Sequence, residues 1–292
     1  MTTTFTAACI QFTAARDYQP NIDVVSDLIR RARDGGADFV LTPENTGLLE
    51  PIGKFRREKA SDETNHPVLA ALREVARETA TWLLIGSLAV DISREPAAPE
   101  GERRLANRSY LLDASGSIVA RYDKIHMFDV DLSASESYRE SNAFRPGERA
   151  VLAATPWGTL GMTVCYDLRF PQLYRALAQA GADFLAIPSS FTVPTGNAHW
   201  HVLLRSRAIE TGCFVFAPAQ WGEHAERRRT YGHSLIVDPW GEVLADGGEG
   251  VEIVSATIDP TRIAEVRRMV PSLDHDRPFS APTRRDRRVA AE

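Results

Sequence analysis

An eight-residue phrase that occurs twice constrains this chain more than any other feature: GADFVLTP at 36–43 returns as GADFLAIP at 181–188. Each copy follows an apolar pattern of period 3.6, NIDVVSDLIRRARDGG in the first half and FPQLYRALAQAG in the second. The glycine that closes each pattern suits a helix C-cap. Each copy then turns apolar and stops at a proline, as a buried strand does. A second phrase behaves in the same way, because SYLLDASGSIVA from Ser109 returns as SLIVDPWGEVLA from Ser234 with Ser, Asp, Gly and the apolar frame preserved. Shared helix-strand and hairpin grammar can produce either match, but two matches in the same order favour a pseudo-twofold duplication.

The segments between these phrases fit the same plan. TAACIQF reads as a strand before the first helix, HPVLAALREVARETA as a second helix, and WLLIGSLAV as a further strand. DISREPAAPEGERR reads as a solvated loop, and NRSYLLDASGSIVARYDK as a hairpin turned at Asp113 to Gly116. A duplicated pattern of this kind predicts an α/β fold in which two mixed sheets pack face to face with helices outside, a four-layer α-β-β-α sandwich. Ligands of open α/β sheets gather at the carboxyl ends of strands, so residues that end strands are the ones to inspect. The length of 292 residues allows one large domain or two small ones. We expect one domain over 1–279, followed by a C-terminal tail at 280–292 that has no apolar period.

Bulk properties exclude several roles. A formal charge of −5 gives no general attraction to nucleic acid or anionic lipid, so a small-molecule partner is the better expectation. Cys9, Cys165 and Cys213 are too few, and odd in number, for a secreted disulfide framework, which fits a reducing cytoplasm. The N-terminus lacks a basic n-region and a long apolar h-region, and no apolar stretch approaches about 18 residues. The protein is expected to be neither exported nor membrane-spanning.

Three residues at strand ends carry candidate chemistry. Cys165 lies where the apolar run LGMTV gives way to a helix starting near Pro171, a junction that leaves backbone N–H groups unpaired. Free cysteines are usually buried and inert, which is the reading for Cys9 and Cys213. Glu44 comes directly after a buried strand and a proline; it is either a surface acid or cap, or a functional carboxylate. Lys124, in ARYDKIHMFD, would alone be read as a solvated lysine. Together the three make a coherent set. A thiol with a pKa of about 8.5 becomes a competent nucleophile when a carboxylate takes its proton. An ammonium and a backbone N–H can then hold the oxyanion that forms at an attacked amide. The same carboxylate can protonate the leaving amine and activate water.

The segments ENTG, YDKIHMFD and GMTVCYDLRFPQLYR resemble the three signature segments of the nitrilase superfamily, the carbon–nitrogen hydrolases. The resemblance runs from about residue 5 to about residue 279. It implies a Glu44, Lys124, Cys165 triad, a four-layer α-β-β-α sandwich, no metal or cofactor, and a homodimer or higher homo-oligomer. It also implies a second glutamate that orients the lysine, placed at Glu140 with Glu136 as the competing position.

Later segments narrow the resemblance. AHW with LLRSRAIET, then AQWG and YGHS, are similar to the Nit branch, and within it to deaminated glutathione amidases more than to omega-amidases. Asn197 and His201 depart from that pattern, which usually has Pro and Glu there. A carboxylated substrate needs cations, and Arg169 and the run Arg227, Arg228, Arg229 are candidates, a structural ion pair with Asp167 or a solvated loop being the respective alternatives. Tyr166, His126, Phe128, Phe191, His199 and Trp200 are further candidates for lining the pocket, although aromatics at such positions are often core. LDHDRPF lacks the partner cluster that a metal site requires. The competing functions are an omega-amidase acting on 2-oxoglutaramate, a carbamoylase or nitrilase, and, from another class, a non-catalytic scaffold.

Overall fold

The computed structural model describes residues 3–96, 99, 101–133 and 136–280. The first half contains β1 (Phe5–Gln11), α1 (Tyr18–Asp34), β2 (Phe39–Leu41), α2 (Gly53–Lys59), α3 (Pro67–Thr79), β3 (Trp82–Asp91), β4 (Leu105–Leu112) and β5 (Ile118–Asp123). A short ribbon of β6 (Asp129–Ser133) and β7 (Glu136–Arg139) leads to the second half. There follow β8 (Val151–Thr155), β9 (Gly158–Met162), α4 (Pro171–Gln179), β10 (Phe184–Ala186), α5 (Val193–Thr211) and β11 (Phe214–Ala217). A second ribbon, β12 (Trp221–Glu223) with β13 (Arg229–Tyr231), precedes β14 (Leu235–Val237), β15 (Val243–Asp246), β16 (Glu252–Ile258) and α6 (Thr261–Met269). The tail beyond Ser280 lies outside the described residues.

The duplication read from the repeated phrases is present in the strand pairing. One sheet has the order β16-β1-β2-β3-β4-β5 and the other, read in the matching direction, β8-β9-β10-β11-β14-β15. Both run antiparallel, parallel, parallel, antiparallel, antiparallel across their neighbours.

Each letter of the repeated GAD has a mechanical reason. Gly36 and Gly181 sit just past α1 and α4 with φ of 92° and 102°, a left-handed conformation that a side chain would strain. Ala37 N donates to Ala32 O, and Ala182 N to Leu177 O, both at 3.0 Å, closing the same helix-ending turn twice. Asp38 N donates to Thr6 O while the Asp38 carboxylate accepts from Thr6 N; Asp183 and Thr159 repeat both bonds. The phenylalanine that follows begins β2 or β10 and enters the core.

Two-residue alternation then sorts the layers. In β1, Phe5, Ala7 and Cys9 face the second sheet, while Ala8 and Ile10 face α1 and α3. Phe5 meets Phe184 edge-on at 5.6 Å between ring centres, and Phe39 meets Phe216 at 6.1 Å, so aromatic rings fill the space between sheets. Val25, Leu28 and Ile29 of α1 and Leu69, Leu72 and Val75 of α3 cover one outer face. Leu173 and Leu177 of α4 with Trp200, Leu204 and Ala208 of α5 cover the other. Each large apolar side chain so buried contributes about 1.5–3 kcal/mol against chain entropy. The result is the four-layer α-β-β-α sandwich that the sequence predicts. Among the described residues no helix is long and apolar enough to cross a membrane.

One close approach sets the segment after β2. The pairing of β3 with β4 slips between Ile85 and Leu88, and at Gly86 a Cβ would stand 2.1 Å from Thr42 O and 2.4 Å from Pro43 O. Only glycine admits that backbone contact, and Gly86 N donates to Thr42 Oγ1 at 3.0 Å. Gly86→Ala is therefore expected to destabilise the fold by about 2 kcal/mol in denaturant unfolding, through overpacking that side chains cannot relieve. Gly53→Ala, where a Cβ meets nothing within 4 Å, serves as the control and should change little; equal stability of the two variants would contradict this account.

Candidate active site

Three strand ends converge on one cleft. Glu44 follows β2 through Pro43, Lys124 follows β5 directly, and Cys165 comes shortly after β9. The Glu44 loop is clamped from several sides. Thr46 Oγ1 donates to Pro43 O at 2.6 Å, and Asn45, at φ 62°, donates its N–H to Ser87 Oγ. From the other half of the molecule, Gln220 Nε2 donates to Glu44 O at 3.0 Å.

Cys165 opens a 3-10 turn, Cys165–Arg169, that separates β9 from α4. Its φ of 49° is a left-handed conformation costing a non-glycine residue about 1–3 kcal/mol, which the surroundings must hold in place. Cys165 N donates to Pro188 O at 2.9 Å, and the backbone N–H of Ser190 approaches the sulfur. Fully buried Asp167 braces the turn. It accepts from Val164 N and the Tyr122 hydroxyl on one oxygen, and from His126 N and Nδ1 on the other.

The floor of the cleft is ionic. Lys124 Nζ, 2% exposed, donates to Glu44 Oε1 at 2.9 Å and to Glu140 at 2.8 and 3.0 Å. Asn107 Nδ2 bridges both carboxylates, at 3.0 Å from Glu44 and 3.1 Å from Glu140, and Phe128 N donates to Glu140 Oε2 at 2.7 Å. Glu140, not Glu136, therefore holds the lysine; Glu136 accepts instead from the Tyr138 hydroxyl. Burial alone would push Glu44 up, but the charge and hydrogen bond of Lys124 leave it below the ordinary glutamate value. Burial likewise opposes the Lys124 charge, and Glu140 with Glu44 overcomes it, holding the ammonium well above its ordinary range. Cys165 is raised, first by burial and then by the Glu44 charge, with Lys124 opposing. At rest the thiol is neutral beside an ionised carboxylate within hydrogen-bonding reach. That arrangement can pass a proton from sulfur to Glu44 as the sulfur attacks.

The cleft has a volume of about 1010 Å³, and Glu44, Lys124 and Cys165 lie among its lining residues. Tyr166, Phe128 and Phe191 line it as well. His126, Arg169, His199 and Trp200 are not among its lining residues. His126 is hooked onto Asp167 and stacked on Phe170 at 3.5 Å. Arg169 reaches neither the cleft nor Asp167: it contacts His199 Nδ1 at 3.3 Å and lies over the Tyr166 and Phe191 rings. Trp200 is buried against Phe191 and donates Nε1–H to His233 O at 2.7 Å. Of the arginine run, Arg228 and Arg229 line the cleft, and the Arg227 side chain lies outside the described residues. Asn107, Tyr138 and Arg56 are site neighbours that the sequence reading passed over. No signal in the sequence singles out Asn107, which stands beside Arg108 and Ser109 in the polar middle of β4.

Away from the cleft, His201, His233 and Asp246 bring ligand-type atoms within 4.8 Å of one another. They already satisfy each other, His201 Nε2 and His233 Nδ1 each lying 3.0 Å from the Asp246 carboxylate. The set ties α5 to the β14–β15 hairpin.

A family model described as carbon–nitrogen hydrolase matches residues 6–268. The chain is 40% identical over 271 residues to the deaminated glutathione amidase of Yersinia enterocolitica, with 92% of each chain covered. Among solved structures it is similar to the C. elegans NitFhit protein, with a TM-score of 0.86 and 34% identity, over 94% of this chain and 66% of that longer one. It is also similar to an amidase from Nesterenkonia sp. AN1, with a TM-score of 0.74 and 26% identity, over 91% of this chain and 98% of that one. In a mutant of that amidase, acrylamide has added to the active-site cysteine.

The ionisation pattern fixes a pH dependence. The stability contributed by a lowered Glu44 is complete above its ordinary value of about 4.3 and is lost as pH falls through the lowered one. That of a raised Lys124 is complete below about 10.4 and is lost as pH rises through the raised value. Neither group changes charge in between, and Cys165 has no transition near the ordinary thiol value of about 8.5. A plot of kcat/KM against pH is expected to be flat from about pH 6 to about pH 9. A rise centred near pH 8.5 would mean a free thiolate nucleophile and would contradict this arrangement.

Proposed function

The chain belongs to the carbon–nitrogen hydrolase family, and we propose that it is an amidase that cleaves deaminated glutathione through a thioester on Cys165. That it hydrolyses amide C–N bonds follows from the family and its amidase relatives. The observation that carries the residue assignment is the Lys124 ammonium, paired with Glu44 and Glu140 on the floor of the cleft that Cys165 also lines. The choice of substrate rests on relatives at 38–40% identity named deaminated glutathione amidase, from bacteria to human.

In the proposed reaction the Cys165 sulfur attacks the amide carbon while its proton passes to Glu44. The carbonyl oxygen takes the negative charge and is held by Lys124 and a backbone N–H. Glu44 then protonates the departing amine, the C–N bond breaks, and a thioester remains. Water attacks the thioester as Glu44 takes its proton, releasing a carboxylate and restoring the thiol. Glu140 and Asn107 position Lys124 and Glu44 throughout.

The same reading includes one catalytic domain over 1–279, residence in the cytoplasm and assembly as a homodimer or larger. The three free, buried cysteines suit a reducing compartment, which cell fractionation checks. Val202, Ile209 and Trp240, apolar yet 65%, 53% and 48% exposed, support self-association. Light scattering distinguishes the 32.3 kDa monomer from its multiples.

The deciding assay compares deaminated glutathione with 2-oxoglutaramate side by side, with Cys165→Ala as control. The expected result is a higher kcat/KM for deaminated glutathione and a fall of at least about 10³-fold in the variant with its fold intact. A preference for 2-oxoglutaramate would move the activity to that of an omega-amidase. Product release retained by Cys165→Ala would overturn the nucleophile.

A further inference from the structure

Two guanidinium groups share the cleft without a carboxylate in direct contact with either among the described residues. Arg56, on α2, and Arg228, just before β13, come from opposite halves of the chain and line the same cavity as Cys165. Neither forms an ion pair among the described residues. Arg56 Nε donates to a backbone carbonyl, Glu50 O, at 2.8 Å, and its guanidinium lies 5.2 Å from the centre of the Phe144 ring. Arg228 Nη2 donates to Ser190 O and Oγ at 3.2 and 3.3 Å, and its guanidinium lies 5.5 Å from the centre of the Tyr138 ring. Arg228 Nε is buried with no hydrogen-bond partner among the described residues.

The neighbouring acids are committed elsewhere: Glu44 and Glu140, which act on Arg56 only through space, are both bound by Lys124. Glu50 is bound by Arg16 and Lys59, Glu226 pairs with Arg16, and Glu136 accepts from Tyr138. Other cations of the lining have partners or solvent: Lys54 has Glu58, Arg139 has Asp131, and Arg57 and Arg229 are exposed. Arg56 and Arg228 are half-buried and repel each other; burial first, and then the charge of Arg228, lowers Arg56 from its ordinary value, and the more distant charges of Glu140, Glu50 and Glu44 offset this only in part. Two partly desolvated like charges with an unused buried donor are costly unless an anion completes them. A carboxylate suits the planar donors of arginine and accepts from both groups at once.

Position supplies the rest. Arg228 is held on Ser190, whose N–H approaches the Cys165 sulfur, and its charge is felt at Glu44. An anion seated there therefore stands close to the reacting carbon. We propose that Arg56 and Arg228 form a carboxylate subsite, selecting amides that carry a carboxylate a short chain away from the scissile bond. This inference rests on the reading of the cleft as an amidase site and adds the residues that choose the substrate class.

The test uses the full-length protein with two probes of equal length, glutaramate and the neutral pentanamide, in wild type, Arg56→Gln, Arg228→Gln and Arg228→Lys. The ratio of kcat/KM for glutaramate to that for pentanamide is expected to fall about tenfold or more in each Gln variant, mainly through KM for the anionic probe. Arg228→Lys should recover part of it. In parallel, calorimetry of glutarate binding to Cys165→Ala, which does not turn over, should show weaker binding when either Gln substitution is added. An unchanged ratio with unchanged glutarate affinity overturns the subsite, as does an equal loss on both probes. If wild type hydrolyses neither probe nor deaminated glutathione, yet binds glutarate in an Arg228-dependent way, the amidase reading fails while the subsite stands.

Discussion

The structure depends on one buried cation. Lys124 is almost wholly enclosed, and two carboxylates, Glu44 and Glu140, meet its ammonium at hydrogen-bonding distance. Removing either sign from such a cluster leaves an uncompensated buried charge, a loss of about 3–5 kcal/mol. The cluster also ties together the end of β2, the end of β5 and the 3-10 turn after β7. Asn107, from β4, bonds to both carboxylates and fixes their spacing. In the proposed reaction the same network keeps Glu44 ionised beside a neutral thiol, so that the proton moves only when the sulfur attacks.

Around that cluster the scaffold is nearly symmetric and the chemistry is not. GAD ends a helix and locks it to the adjacent strand twice over, with the same four hydrogen-bonded positions in each half. After the matching strands and prolines, one half presents Glu44 and the other Ser189, whose N–H is spent on Pro218 O. The duplicated sheets thus supply rigidity in both halves and a reactive carboxylate in one. Cys165 comes from the second half and is held by the backbone of that same proline turn, at Pro188. The cleft forms where the two halves face each other, and Gln220 reaching across to Glu44 O is one of its fasteners.

Much of this was legible in the residues because it is local. The repeated phrases announced the matching sheets, and Glu44, Lys124 and Cys165, none of them decisive alone, stood out as a set at strand ends that fits one mechanism and the signature segments of the resemblance. What was not legible depends on contacts across the fold. Glu140 and Glu136 are near neighbours in sequence, and only the 3-10 turn at Glu140–Asn142 determines which one faces the lysine. His199 and Trp200 looked like pocket residues, but α5 turns Trp200 into the core behind Phe191, and His199 meets Arg169 outside the cleft. Arg56 gave no signal at all: it sits in a polar helix, and its meaning comes from Arg228, which is far away in the chain. Asn107 is one of three consecutive polar residues in β4, and its role comes only from the two carboxylates that the fold brings to it.

The central claim is that acyl transfer passes through the Cys165 sulfur, and the most direct measurement is to trap that intermediate. Deaminated glutathione is mixed with the enzyme, quenched in acid within the first turnover and digested, and each cysteine peptide is weighed by mass spectrometry. The account predicts an acyl group on the Cys165 peptide alone, released by hydroxylamine as a thioester would be, with Cys9 and Cys213 unmodified in their buried positions. Turnover with no acyl group on Cys165, or with the label on another residue, would contradict it.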